Sequence, residues 1–260
     1  MNFQAPRFHR RCLHTKRNPK KLFMSKPRYF LFALFIFFMG CSTNPGTTTQ
    51  YQPVDPQQLR PIAAEFITTT TTKGHSPVTS AWRIQRDSQR VELVRLDSQV
   101  SEVWSRTSQD LWFYQKVFAE DQQVIEYSPS DLAALGVQPQ WLPIALAIDP
   151  TVLASLGNGK PGKAIHGFQT QRFKGEFQGA DYDVTWIPEL ALAARVNYSK
   201  GEMSSVTEVK MPHPLAESPW PPVNTRLYRL IDYSDLGDME RDPFVMRVQS
   251  QLPGGHAHDH

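Results

Sequence analysis

Three stretches of this chain hold residue types that do chemistry when they converge. The first is the C-terminus, His256-Ala257-His258-Asp259-His260, behind Gly254-Gly255. Alternate side chains of an extended backbone share one side. His256, His258 and His260 can therefore approach one ion, and imidazole nitrogens suit Zn²⁺, Cu²⁺ or Ni²⁺. The second stretch is acidic: Asp232, Asp235 and Asp238, followed by Glu240 and Asp242, lie around Gly237. Carboxylates there could supply some of the roughly six to eight oxygens that Ca²⁺ takes. Their spacing is not that of an EF-hand, and Asp235 or Asp242 would equally cap a short helix. The third stretch, Gly157 to Lys163, matches G-x-x-x-x-G-K. Ala164 lacks the hydroxyl that would hold Mg²⁺, and Pro161 removes an N–H from the cradle. It reads as a turn and not as a nucleotide site.

No G-x-S-x-G elbow and no H-E-x-x-H pair occurs. His75, His166 and His213 stand alone. No catalytic residue and no cofactor motif emerges, so the expectation is a non-enzymatic protein.

Cys41 carries a different chemistry. Lys26 and Arg28 precede the charge-free run Tyr29 to Met39, and Gly40-Cys41 closes it. The run is shorter than the roughly 20 residues of a membrane span and suits a signal peptide. A small residue before cysteine at the end of such a run resembles the bacterial lipobox, although Phe38 replaces the commoner leucine. That resemblance implies cleavage before Cys41 and a diacylglyceryl thioether plus an amide-linked acyl chain on it. Several chains anchor where one acyl chain binds only reversibly. Ser42, which is not Asp, implies sorting to the periplasmic face of the outer membrane. Residues 1–40 are thus expected to be a leader. Residues 1–23 read as an extension upstream of the true start, because Met24 opens a complete leader by itself.

Removing the leader inverts the charge. The whole chain carries +3, but nine of its 28 Lys and Arg and none of its 25 acids lie in residues 1–40. From Cys41 onward 19 bases face 25 acids, a net of −6. No basic surface for nucleic acid is expected. The two cysteines, Cys12 and Cys41, leave the exported part without a disulfide, so a packed core must stabilise it.

The elements that must position these residues follow from periodicity. Ser42 to Val54 reads as a polar tether, so 41–54 is expected to be lipidated and flexible. Leu59, Ile62, Ala63, Phe66 and Ile67 recur at helical spacing, which predicts a helix ended by Thr68 to Thr72. Beyond Ser80 the period becomes two, and strands are expected near 80–86, 90–96, 101–106, 110–118 and 122–128. Ser130 to Gly136 and Asp149 to Gly157 read as capped helices flanking apolar Trp141 to Ala147. Strands resume near 164–172, 173–178, 181–187, 192–198 and 203–211, and Glu176 to Tyr182 reads as a hairpin turn. Residues 212–224 hold five prolines and read as an irregular crossing. Tyr228 to Ser250 reads as a strand and a short helix before the tail at 251–260. The single domain is placed at 55–250, with Trp82, Phe113, Trp186 and Val196 facing inward.

This order of helix, meander, helical insertion and meander resembles the LolA/LolB-like superfamily. Gly167 to Gly175 and the turn Trp186-Ile187-Pro188-Glu189-Leu190 to Ala193-Ala194-Arg195-Val196 carry the likeness. The resemblance implies an α+β fold: a curved antiparallel sheet forming an incomplete barrel, with the helical insertion packed on its concave face. It also implies an envelope lipoprotein that binds an apolar ligand or a protein partner. The alternatives are a divalent-metal-handling envelope protein using the histidine tail, and an envelope hydrolase.

Two outcomes test these readings. Cys41→Ser should abolish acyl labelling and release the protein from membranes; a mature N-terminus found by mass spectrometry at another, unmodified residue would refute the assignment. Deleting residues 254–260 should remove calorimetrically measured Cu²⁺ or Zn²⁺ binding and leave thermal stability unchanged. That affinity should fall as pH drops through about 6.5, where imidazole protonates. Equal binding by both forms would place the site elsewhere.

Overall fold

The computed structural model describes residues 48–249. Cys41 and the expected leader, as well as His256, His258 and His260, lie outside the described residues.

The first half of the chain is a strand meander. β1 (Thr49–Gln50) and β2 (Ile62–Thr72) are followed by β3 (Val78–Arg86), β4 (Arg90–Arg95), β5 (Val100–Arg106), β6 (Trp112–Phe118) and β7 (Gln123–Tyr127). The insertion is α1 (Pro129–Ala134), α2 (Trp141–Ala145) and α3 (Pro150–Ser155). A second meander holds β8 (Asn158–Pro161), β9 (Gln171–Phe177), β10 (Ala180–Ile187), β11 (Leu192–Lys200) and β12 (Met203–Pro214). β13 (Arg229–Asp232), a 3-10 segment Tyr233–Met239 and α4 (Pro243–Val248) end it. All thirteen strands form one curved, unclosed sheet in the order β1-β8-β9-β10-β11-β12-β2-β3-β4-β5-β6-β7-β13. The strands on the two sides of the insertion therefore share a sheet, joined where β2 lies between β12 and β3. Pairing is antiparallel throughout except that β13 runs parallel to β7, which the purely antiparallel expectation did not include.

Local chemistry sets the boundaries. Ser128 accepts from the Asp131 N–H while the Asp131 carboxylate accepts from the Ser128 N–H at 2.8 Å, a reciprocal capping box for α1. Asp149 caps α3 at the Thr151 N–H, 2.8 Å away, with Pro150 in its first turn. Gln178 and Gly179, both at positive φ, make the tight turn between β9 and β10. Gly159 is required by space: a Cβ there would lie 2.7 Å from the Phe173 ring.

The helix expected over 55–67 is not formed. Ile62 to Thr72 is the central strand β2, which pairs with β12 and with β3. Ile62, Ala63 and Ala64 are all buried. A strand covered on both faces loses its period-two signature, and that loss left a spacing resembling a helix. The threonines that were read as a stop continue the strand, as β-branched residues favour. The strand expected over 164–172 is mostly loop with one bridge, Ile165 to Phe168, and β8 forms earlier, inside the glycine-rich stretch. The expected tether ends sooner too: Thr49 and Gln50 pair with β8, and Tyr51 is buried against Phe173 and Trp186.

Cross-strand register separates the faces. Ala64, Ile84, Leu93, Glu102, Lys116, Ile125 and Ile231 are successive partners across seven strands and so share one face, here called inner. α2 and α3 pack on it with Phe66, Ile84, Val184 and Trp186 in the main core. α1 and α4 pack on Tyr114, Ile125, Tyr127 and Ile231 in a second core. The insertion is thus divided between two cores. On the outer face Val103, Val117 and Val124 form a small cluster with Val223 and Tyr228. Trp186 is buried, and Trp82 and Val196 pack on the main core from its margin. Phe113 does not face inward: its neighbours Trp112 and Tyr114 occupy the inner face, so alternation turns it outward. Among the described residues no helix is long and apolar enough to cross a membrane.

Pro212 and Pro214 extend β12 further than expected. They pair with Ala64 and Ile62 beyond a bulge after Val209, where the β11 ladder has already ended at Glu208. One side of β12 is free there, and a missing N–H breaks no ladder bond on it.

Arg86 links these parts. It ends β3 and is 1% exposed. Its guanidinium donates to the carbonyls of Ala145 at the end of α2 and of Leu190 and Ala191 at the β10–β11 corner. Arg86→Leu should lose about 2–4 kcal/mol of stability, because buried carbonyls are left unpaired at roughly 1–3 kcal/mol each. Arg86→Lys should recover only part, since an ammonium lacks the planar fork. Urea denaturation reads both; a loss under about 1 kcal/mol for Arg86→Leu would remove the linking role.

Candidate functional site

Two features of the sheet can hold something other than the chain itself. The first is a run of rings on the inner face, where the main and second cores meet at Trp112, which packs on both. From α2 to the 3-10 segment after β13 the rings follow one another. Trp141 lies 5.5 Å from Trp112, Trp112 6.4 Å from Trp104, and Trp104 4.3 Å from Tyr114. Tyr114 lies 5.2 Å from Tyr127, and Tyr127 4.6 Å from Tyr233. Alternation on β5 and β6 aligns them: Trp104 pairs with Tyr114, and Tyr114 with Tyr127. Trp104 and Trp112 are only half-buried, which leaves indole surface at this seam. The Arg106 guanidinium lies 4.5 Å from the centre of the Trp141 ring.

The seam has a polar margin. Glu102 and Lys116 are direct cross-strand partners on the same face. Burial pulls the Lys116 ammonium below its ordinary range, opposed by Glu102 and assisted by Arg95. Burial, with Glu102 adding to it, pushes the Tyr114 hydroxyl well up. Burial, then Tyr233 and Asp131, raises Tyr127. The Tyr127 hydroxyl and Trp141 Nε1 are buried without a hydrogen-bond partner among the described residues. Elsewhere the inner face is filled: Ala145, Leu146 and Leu153 are fully covered where α2 and α3 sit. Leu142 and Ile144 of the wholly apolar α2 stay half-buried.

The second feature lies on the outer face. After β12 the chain crosses the sheet as a proline-rich strap. Trp220, Pro221 and Pro222 border two cavities, one of about 460 Å³ toward the β3–β4 turn and one of about 240 Å³ over β4 to β6. Three contacts tie the strap down. The Val223 N–H donates to Glu92 Oε2 at 2.9 Å, and Gln85 Nε2 donates to the Pro221 carbonyl at 3.2 Å. The Arg83 guanidinium lies 4.4 Å from the centre of the Trp220 ring. Both cavities are thus on the opposite face of the sheet from the aromatic seam.

The residues singled out from sequence are placed as follows. Asp232 precedes the 3-10 segment that contains Asp235 and Asp238, and all three are exposed. Among the described residues no three His, Cys, Asp or Glu side chains converge to hold a metal ion. Asp242 is a helix cap: it accepts from the Phe244 and Val245 N–H groups and pairs with Arg229 at 2.9 Å. Arg229 holds its carboxyl below the usual range. His75 and His166 are exposed, and His213 lies edge-on to Trp220. Gly157 ends α3 in the left-handed region, and β8 follows it.

Arg86, Gln85, Glu92 and Trp220 were not singled out from sequence. Arg86 was readable in principle, since alternation from Trp82 and Ile84 puts it on the core face. Gln85 and Glu92 carry no such signal, because their cover arrives from residues 219–223.

No family model matches this chain, and no curated protein matches it. Among solved structures it is similar to PNGF-II at 13% identity and a TM-score of 0.35, over 70% of this chain and 34% of that one. It is similar to MucB in the Pseudomonas aeruginosa MucA/MucB complex at 13% identity and a TM-score of 0.38, over 66% and 56%. A LolA superfamily protein from Nitrosomonas europaea matches at 7% identity and a TM-score of 0.30, over 67% and 91%. The chain spans about a third of PNGF-II and somewhat over half of MucB. With TM-scores this low, the residues of this chain must carry the functional reading.

Proposed function

We propose that this chain is a non-enzymatic envelope lipoprotein, anchored through Cys41, that binds an apolar ligand or a protein partner at the aromatic seam. The observation that supports this is the run of six rings, two of them half-exposed indoles, where the two inner-face cores meet. Tryptophan presents large, stiff contact area, and indole and phenol groups are typical anchors of binding surfaces. Because α2 and α3 fill the neighbouring surface, binding occurs at the seam and not inside a large enclosed cavity.

The test is titration of the full chain with N-phenyl-1-naphthylamine, an uncharged apolar fluorophore. Saturable enhancement at roughly micromolar probe is expected. The Trp104→Ala, Trp112→Ala double variant should weaken it about tenfold, with its thermal midpoint recorded alongside. Absence of saturable binding, or equal affinity in a folded double variant, would overturn the assignment.

A further inference from the structure

The outer-face cavity beneath the strap is chemically unlike the seam. Its floor is polar and buried: Gln85 is 6% exposed and Glu92 3%. Its wall is apolar and stiff. Pro221 and Pro222 fix their own φ angles, so the strap resists collapse onto the sheet. Ser218 holds Trp220 in place, its Oγ accepting from the Trp220 N–H at 3.2 Å and donating to the Trp220 carbonyl at 2.9 Å. Arg83 lies over the indole and borders the smaller cavity, while the same indole also walls the larger one. The larger cavity, about 460 Å³, falls within the range of roughly 300–1,000 Å³ typical of small-ligand sites.

The charges around it already have partners within the chain. Arg90 Nε donates to Glu92 Oε1 at 2.7 Å, and Glu92 Oε2 accepts from the Val223 N–H at 2.9 Å. Asp87 accepts from the Gln89 and Arg90 N–H groups, each at 2.7 Å. Arg86 donates to main-chain carbonyls. Two bases and two acids balance, so neither an anion nor a cation finds an uncompensated opposite charge. A wholly apolar ligand is disfavoured as well, because it would cover the partly exposed Arg90 guanidinium without replacing its contact with water. What fits is an uncharged molecule with one apolar face and a rim of hydroxyls.

We propose that this cleft binds a neutral saccharide of one or two pyranose units. The C–H face of a sugar ring lies on Trp220. Its hydroxyls donate to the Gln85 carboxamide oxygen and to Glu92, and accept from guanidinium donors of Arg90 beyond the one given to Glu92. A carboxylate, a carboxamide and a guanidinium are planar groups that can meet neighbouring hydroxyls in pairs. The site is separate from the seam, and neither assignment depends on the other.

The experiment is calorimetric titration of the full chain with cellobiose, maltose, lactose and di-N-acetylchitobiose. At least one should bind with a Kd of roughly millimolar or tighter. Trp220→Ala should weaken that binding about tenfold or abolish it, as loss of an aromatic anchor does. Trp220→Phe, which keeps a ring in the wall, should retain most of it, and this rules out simple misfolding of the strap. The Trp104→Ala, Trp112→Ala double variant should bind the sugar unchanged. Failure of all four disaccharides, or undiminished binding by Trp220→Ala, overturns the proposal. Loss of sugar binding in the seam variant with Trp220 intact would place the saccharide at the seam and overturn it too.

Discussion

Arg86 is the point on which the two halves of this sheet depend. Elements on either side of it end in carbonyls that have no partner within their own helix: Ala145 closes α2, and Leu190 closes the 3-10 turn Pro188–Leu190. A buried carbonyl without a donor is costly. One guanidinium, with five N–H donors in a planar fork, serves both ends and the left-handed Ala191 beside them. Burial pulls the guanidinium down to about 9. The carbonyl oxygens replace the water that burial removes from the two terminal nitrogens, while Nε is buried without a partner among the described residues. This explains why a cation stands at the end of an otherwise apolar inner row, and why the insertion helix lies where it does.

With the insertion fixed by that contact, the inner face divides. α2 and α3 close the surface over β2, β3 and the second meander, while α1 and α4 close it over β6, β7 and β13. The aromatic seam is what remains between two covers that share only Trp112. The outer face is organised by different forces. There the salt bridges are mostly solvent-facing, as in Arg195 with Glu208, and such pairs contribute little. The strap is the exception. It buries Gln85 and Glu92 by bringing its own polar groups, the Pro221 carbonyl and the Val223 N–H, so the burial is compensated. One sheet thus presents an aromatic surface on one side and a polar-floored cleft on the other.

Strands between residues 78 and 127 were legible because each has one wetter face, and alternation survives there. The cap of α3 at Asp149 was legible because a cap is a local hydrogen bond written in adjacent residues; α1 was read from Ser130, but its cap is Ser128, two residues earlier. The β9–β10 turn was legible for the same reason. β2 was not, because burial on both sides removes the alternation that identifies a strand. Phe113 was misassigned because two aromatics flank it, and an apolar triplet does not say which member faces the core. The acidic residues Asp232, Asp235 and Asp238 suggested a site that composition alone could not test; among the described residues no three such side chains converge, which is a matter of backbone geometry.

By itself, then, the sequence determined what depends on neighbours a few residues away: the lengths of most strands, the cap of α3, the turns and the net negative charge from Cys41 onward. Tertiary structure alone decided what depends on partners far apart in the chain. It put Ile62–Thr72 between β12 and β3, gave Arg86 carbonyls from residues 145, 190 and 191, and brought Trp220 over the face that carries Gln85 and Glu92. The physical reason is range. Capping and alternation act within one turn or one pleat and leave a local pattern, whereas desolvation depends on whatever distant segment covers a residue, and no local pattern records which segment that is.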